Sequence, residues 1–233
     1  MNRYSIIENK NKREIVLLKG RGCCYKKCSF CDYHLDSSLN EQENYLLNKE
    51  VLLKVTGKYH KLEVINSGSI FELDDNTLNL IFKVLKDKGI KELIFEAYLS
   101  YSKRVMEFKK ECLKRGIKAI PKIGIETFDD KYREEVLNKG YGILNIEEVS
   151  SIFNECNLLF GLDNQTKESI LNDINLGLKY FDRICINIMT KNTTKIKPNK
   201  EVIKMFIKDI YPLYKDNERV DILLENVDFG VGD

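Results

Sequence analysis

The amino-acid sequence predicts an α/β fold, a parallel sheet with outer helices built from about six βα units. Short apolar runs alternate in regular order with longer amphipathic stretches, which is the pattern of consecutive strand-helix units. Only three prolines interrupt the 233 residues, and there is no Gly/Ser tract or low-complexity run. One domain spanning residues 1–233 is therefore expected. Six or so units fall short of a closed eightfold barrel, and chemistry on such folds sits at the C-terminal ends of the strands.

The elements follow in order. Glu14 to Leu18 reads as a first strand, ended by the Gly20-Arg21-Gly22 turn. Leu62 to Asn66 is the second, and a helix from about Asp75 to Lys88 follows it. Glu92 to Ala97 is the third strand, with a helix from Lys103 to Arg115 leading to the fourth, Lys118 to Glu126. Asp129 to Asn138 is expected to be a helix stopped by Gly140, since glycine readily takes the left-handed conformation that ends helices. Leu158 to Leu162 is the fifth strand and Thr166 to Tyr180 its helix. Arg183 to Met189 is the sixth strand and Asn199 to Tyr211 the last helix, after which Val220 to Leu224 can add a closing strand.

Composition narrows the partners. Lys plus Arg number 38 against 36 Asp plus Glu, a formal net charge of +2, and the lysines are scattered. No basic block exists to grip long nucleic acid. No run approaches the ~20 apolar residues of a membrane helix, so a soluble, cytoplasmic protein is expected. The start, Met-Asn-Arg-Tyr-Ser-Ile-Ile-Glu-Asn, has no secretory apolar region. A disulfide framework among the 7 cysteines is not expected in that setting.

Three of those cysteines carry the most information. Cys24, Cys28 and Cys31 stand in Gly-Arg-Gly-Cys-Cys-Tyr-Lys-Lys-Cys-Ser-Phe-Cys-Asp-Tyr with the spacing C-x3-C-x2-C. A cubane cluster normally takes one thiolate per iron, so three thiolates on one loop leave the fourth iron open. The alternative is a structural zinc site. It lacks a second C-x2-C or H-x3-H pair, because Cys112, Cys156 and Cys185 are isolated, and only Cys23 or His34 could complete it locally.

The cysteine loop resembles that of the radical S-adenosylmethionine (SAM) superfamily, whose fold is a partial (β/α)6 barrel. The resemblance implies a [4Fe-4S] cluster on Cys24, Cys28 and Cys31, and SAM chelating the open iron. One electron from the cluster then breaks the sulfonium to give a 5'-deoxyadenosyl radical. An external one-electron donor of flavodoxin or ferredoxin type is implied with it. Phe30 matches the aromatic position before the last cysteine, where ring and backbone contact adenine. Asn66-Ser67-Gly68-Ser69-Ile70-Phe71-Glu72 occupies the place of the superfamily's Gly-Gly-Glu motif, so Ser67, Gly68 and Ser69 are implied to bind the amino end of SAM. An ordinary strand-to-helix turn is the alternative for this stretch. Gly124-Ile125-Glu126-Thr127 and Asn138-Lys139-Gly140 also resemble superfamily segments. By that likeness Glu96 and Glu126 hold the ribose hydroxyls or the methionine part of SAM, while Arg133 or Lys139 faces its carboxylate. A solvated helix face is the other reading of Arg133. Gly161-Leu162-Asp163 resembles the Gly-Leu-Pro stretch that touches adenine, with Asp163 in place of proline.

A barrel this short, with no second cysteine cluster, is similar to the queuosine lyase family of queuine-salvaging bacteria. That resemblance implies cleavage of the glycosidic bond of queuosine 5'-phosphate with release of queuine. Tyr33, His34, Tyr98, Tyr101, Asn187, Lys191 and Lys195 fall at or near the expected barrel mouth, and His34, Tyr33 and Asn187 are the candidates for work on the substrate. Each is also readable as a half-buried loop tyrosine or a solvated lysine. The terminal segment 225–233 could fold over the mouth. Two other readings stay open at this point. One is an archaeosine-type or Elongator-like enzyme acting on a tRNA base; the other is a non-catalytic iron-sulfur or zinc module.

Overall fold

A computed structural model describes residues 2–224. The fold class is α/β, with eight strands following one another in sequence order; the first is antiparallel to the second, and the second to fifth and the sixth to eighth are parallel neighbours. The chain divides into two compact units. One comprises the residues up to Lys26 together with Tyr33–Lys122, and the other Lys27–Asp32 together with Ile123 onward.

In the first unit, β1 (Tyr4–Ile7) runs antiparallel to β2 (Arg13–Leu18), which pairs in parallel with β3 (Lys61–Asn66), β3 with β4 (Glu92–Glu96), and β4 with the start of β5 (Lys118–Glu126). All six residues of β2 are buried, as expected of a parallel strand covered on both faces. Helices α1 (Glu41–Leu52), α2 (Asp75–Asp87) and α3 (Ser102–Lys114) connect them. Asp74 starts α2 by accepting the Thr77 amide at 2.8 Å and the Thr77 hydroxyl at 2.6 Å. Phe71, Phe95 and Phe108 meet edge to face beneath α3, with centroid distances of 5.2–6.2 Å.

Helix α1 has no counterpart among the expected elements, and its inward face explains why. Two of its four buried residues are asparagines, Asn44 and Asn48. The Asn48 side chain accepts the Lys19 amide at 2.7 Å and donates to the Lys19 carbonyl at 2.8 Å, which pins the chain just after β2. Hydrogen bonds do there what an apolar stripe does in α2.

In the second unit the end of β5 is followed by α4 (Ile146–Ile152), β6 (Glu155–Phe160), α5 (Lys167–Tyr180), β7 (Arg183–Ile188), α6 (Lys200–Met205), α7 (Tyr211–Tyr214) and β8 (Val220–Leu223). Strands β6, β7 and β8 are parallel neighbours. The helix expected over 129–138 reduces to a π turn at Tyr132–Val136. Buried Arg133 sets this geometry. Its guanidinium donates to the Thr127 carbonyl at 3.0 Å and the Gly142 carbonyl at 2.8 Å, and it also binds Asp130, so the segment wraps around the cation.

Below the strand ends of the first unit sits a buried ionic triad. Glu63 of β3 accepts Arg13 Nε at 2.5 Å and Lys122 Nζ at 2.5 Å. Burial alone would raise its carboxyl, but the two cations overcome that and hold it down at about 2.

Among the described residues no helix is long and apolar enough to cross a membrane.

Candidate active site

In the first unit, β3 ends in Asn66 and the chain turns through Ser67-Gly68-Ser69 into a single 3₁₀ turn, Ile70–Glu72. The Asn66 amide donates to the Ser69 carbonyl at 2.9 Å and the Ser69 hydroxyl accepts the Tyr98 amide at 2.8 Å, so this loop is tied to the end of β4. Ser67 and Ser69 are buried. The Glu72 carboxylate lies inside the same loop, accepting the Ser69 amide at 2.6 Å and the backbone amide of Cys24. Burial raises the Glu72 carboxyl, partly offset by those two amides. Glu72 belongs to the stretch picked out from the sequence but not to the site residues expected from it, because its partner stands 48 positions away.

Cys24 is exposed, with Sγ 4.0 Å from the Ser100 hydroxyl. Burial of the sulfur, reinforced by the Glu72 charge, raises its thiol above the usual range. The Tyr25 ring stacks on Tyr98 at a centroid distance of 5.3 Å and 18° between planes, placing an aromatic pair beside this cysteine. Glu96 is half-buried at the end of β4, in register with Lys122. Tyr33 and His34 form a short 3₁₀ turn with Leu35, with Tyr33 exposed, and the His34 carbonyl accepts the Ser37 hydroxyl at 2.6 Å.

In the second unit, residues 27–32 are fastened at several points. The Ser29 amide donates to the Leu137 carbonyl at 2.9 Å, and the Asn138 side chain to the Lys27 carbonyl at 2.8 Å. The Asn192 side chain donates to the Phe30 carbonyl at 2.7 Å, while Asp32 accepts both the amide and the hydroxyl of Thr193 at 2.9 Å. Cys28 and Cys31 are half-buried within this clamp, which also brings the loop carrying Lys191 and Lys195 against it. Both lysines are exposed. Phe30 packs on Leu137, Leu159, Leu162 and Met189. Leu162 belongs to the apolar cluster against which Phe30 packs, and its amide is held by Gln165 at 2.9 Å.

Glu126 ends β5 with a left-handed backbone, φ 68°, an uncommon conformation for a residue other than glycine. Its carboxylate takes Lys139 Nζ at 2.6 Å, and Gly124 leaves the room: a Cβ there would fall 2.5 Å from Glu126 Oε1 and 3.0 Å from Lys139 Nζ. Burial would lower the Lys139 ammonium, but Glu126 holds it well above its ordinary value. Its nitrogen lies 5.5 Å from the Phe30 ring centroid and 5.4 Å from that of Tyr141. Asn187 is half-buried on β7 in register with Leu159.

Arg133 is expected, as the alternative to Lys139, to face a SAM carboxylate. It is wholly buried, and its nitrogens bind Thr127, Gly142, Asp130 and Glu134. Its role is to hold the segment that carries Lys139.

Thiols that form no disulfide and are at least partly exposed fit the ligation of an iron-sulfur cluster. Among the described residues no three His, Cys, Asp or Glu side chains converge closely enough to hold one metal ion. Cys24, Cys28 and Cys31 form no disulfide and are at least partly exposed, while Cys112, Cys156 and Cys185 are buried.

No protein-family model matches the chain. A stretch of 142 residues is 28% identical to an uncharacterized protein of Methanocaldococcus jannaschii, covering 54% of this chain and 38% of that protein. Among solved structures the chain is similar to a queuine lyase from Clostridium spiroforme bound to SAM and queuine. Identity is 47%, all of both chains is covered, and the TM-score is 0.93. With that identity over its full length, and with the Cys24, Cys28 and Cys31 loop, the chain belongs to the queuine lyase family of radical SAM proteins.

Proposed function

We propose that this protein is a radical SAM lyase that cleaves the glycosidic bond of queuosine 5'-phosphate and releases queuine. The observation that carries this reading is the full-length likeness to a lyase bound to SAM and queuine. When bound, the cluster and SAM supply a one-electron cleavage that delivers a 5'-deoxyadenosyl radical to the substrate ribose. The electron comes from a donor of flavodoxin or ferredoxin type.

The chain's own residues bind and orient. Cys24, Cys28 and Cys31 hold the cluster, and the buried Ser67-Gly68-Ser69 turn offers closely approachable backbone groups to the amino end of SAM. Phe30 takes adenine on a ring seated on Leu137 and Leu159. Glu96 and Glu126 accept hydroxyl or ammonium hydrogen bonds, for which ionised carboxylates are the strongest side-chain acceptors. Lys139 holds the Glu126 carboxylate in place. Tyr33, His34, Tyr98 and Asn187 read and stack the base, and Lys191 meets the phosphate.

Glu126→Gln is expected to weaken SAM binding roughly tenfold, the usual consequence of losing a hydrogen bond to a buried charge, and to leave the cluster in place. Glutamine is chosen because it keeps the side-chain length. Calorimetric titration of SAM into the loaded variant measures this, and an unchanged affinity removes Glu126 from the site.

The reaction is tested with queuosine 5'-phosphate deuterated on the ribose. Queuine and 5'-deoxyadenosine form together, and deuterium appears in the deoxyadenosine. Queuine without that transfer rules out abstraction from the ribose. If SAM is cleaved and no base is freed, the lyase reading fails while the radical SAM family stands.

A further inference from the structure

We infer that Glu72 is the positioning residue for Cys24, setting the first cluster thiolate and coupling it to the Ser67-Gly68-Ser69 turn. The inference rests on the reading of Cys24 as a cluster ligand. A glutamate three residues after Ser69 needs only one oxygen to cap its own turn, and Oε2 does this at 2.6 Å from the Ser69 amide. The other oxygen, Oε1, reaches across to the Cys24 backbone amide. The backbone carbonyl of Glu72 meanwhile accepts the Arg21 amide at 3.1 Å. One residue thus holds amides on both sides of the Gly22-Cys23 step and on the facing turn.

Two glycines make the approach possible. A Cβ on Gly20 would come within 2.7 Å of the Glu72 carbonyl oxygen. A Cβ on Gly68 would overlap Glu72 Oε2 and stand 2.8 Å from Cys23 Cα. The turn and the cysteine loop are therefore packed backbone to backbone with the carboxylate as the bridge. Glu72 is 3% exposed, so water does not compete for its oxygens. Tyr101 closes that side, with its hydroxyl 3.5 Å from Oε1. Displacing either the turn or the cysteine loop breaks the same pair of bonds. Occupancy of the turn by the amino end of SAM and the position of the Cys24 thiolate are consequently linked.

The test compares the anaerobically reconstituted wild type with Glu72→Gln, Glu72→Ala and, as a control on an exposed helix position, Glu107→Gln. Three quantities are read: the rate at which a chelator bleaches the visible absorbance, the electron paramagnetic resonance spectrum of the reduced cluster before and after SAM, and the melting temperature of the iron-free chain. Glutamine keeps one acceptor and turns an NH₂ group towards the other amide. It is expected to speed bleaching roughly tenfold and alanine up to about a hundredfold, with the SAM-induced spectral change reduced in the same order. The Glu107 variant follows the wild type. Equal bleaching rates and equal spectra in the wild type and Glu72→Gln overturn the proposal, as does a lowered melting temperature with cluster properties unchanged. A wild type that takes up no iron overturns the cluster reading itself, and is distinguished from failure of the Glu72 role by that absence.

Discussion

Alanine at Cys24, Cys28 or Cys31 abolishes the visible absorbance of the reconstituted protein and its cleavage of SAM. The wild type is expected to hold about four irons and four sulfides per chain, because three thiolates on one loop serve one cubane. The other cysteines behave differently. Cys112 is buried in α3 and Cys185 in β7, each packed as part of the fold, and alanine at either leaves the iron content unchanged. Cys23 also keeps it, since its sulfur faces the Tyr25 amide at 3.4 Å in the local turn. Iron and sulfide analysis on the set decides the matter. Retained absorbance in Cys24→Ala, or its loss in Cys112→Ala, defeats the ligand assignment.

The largest stability effect is expected at Glu63. Replacing it with glutamine removes the buried carboxylate that Arg13 and Lys122 share, and breaking a buried ion pair in this way costs about 3–5 kcal/mol. Denaturant unfolding of the iron-free chain measures that loss. The triple change Arg13→Met, Glu63→Leu, Lys122→Met removes all three charges at once and is expected to recover most of it. The pH dependence has a definite sign. The carboxyl stands at about 2 when folded against its ordinary 4.5, so its contribution is complete above about pH 4.5 and is lost as the pH falls towards 2. That contribution is about 3 kcal/mol. Glu63→Gln flattens the acid limb of the stability curve, and an unchanged limb refutes the assignment.

Much of this molecule is legible in its sequence, for a physical reason that also marks where reading stops. Strands β2 to β7 are largely buried, so short apolar stretches such as Ile15–Leu18 and Leu93–Phe95 mark them, and the family is legible because C-x3-C-x2-C keeps its chemistry within eight residues. Features that depend on polar groups closing over each other stay hidden. Helix α1 turns Asn44 and Asn48 inward, which imitates a surface helix. The segment 129–138 has the spacing of a helix, yet the need of buried Arg133 for the carbonyls of Thr127 and Gly142 decides its course. Short β1 (Tyr4–Ile7) has no fully buried residue and leaves little trace. Glu72 is hidden for the same reason as Arg133: nothing local to either residue names its distant partner. The expectation placed on segment 225–233 lies outside the described residues.

The clamp of Asn192 and Thr193 on Phe30 and Asp32 has an evolutionary consequence. A loop that meets substrate is ordinarily free to drift, and new specificities arise by that drift. Here the first residues after β7 are bonded to the cysteine segment, so a substitution at Asn192 or Thr193 is expected to disturb that segment before it changes any contact with a substrate. The exposed positions on either side of the anchors, Lys191 and Lys195, carry no such constraint, and on the proposed function a changed charge there is expected to alter recognition without loosening the cysteine segment.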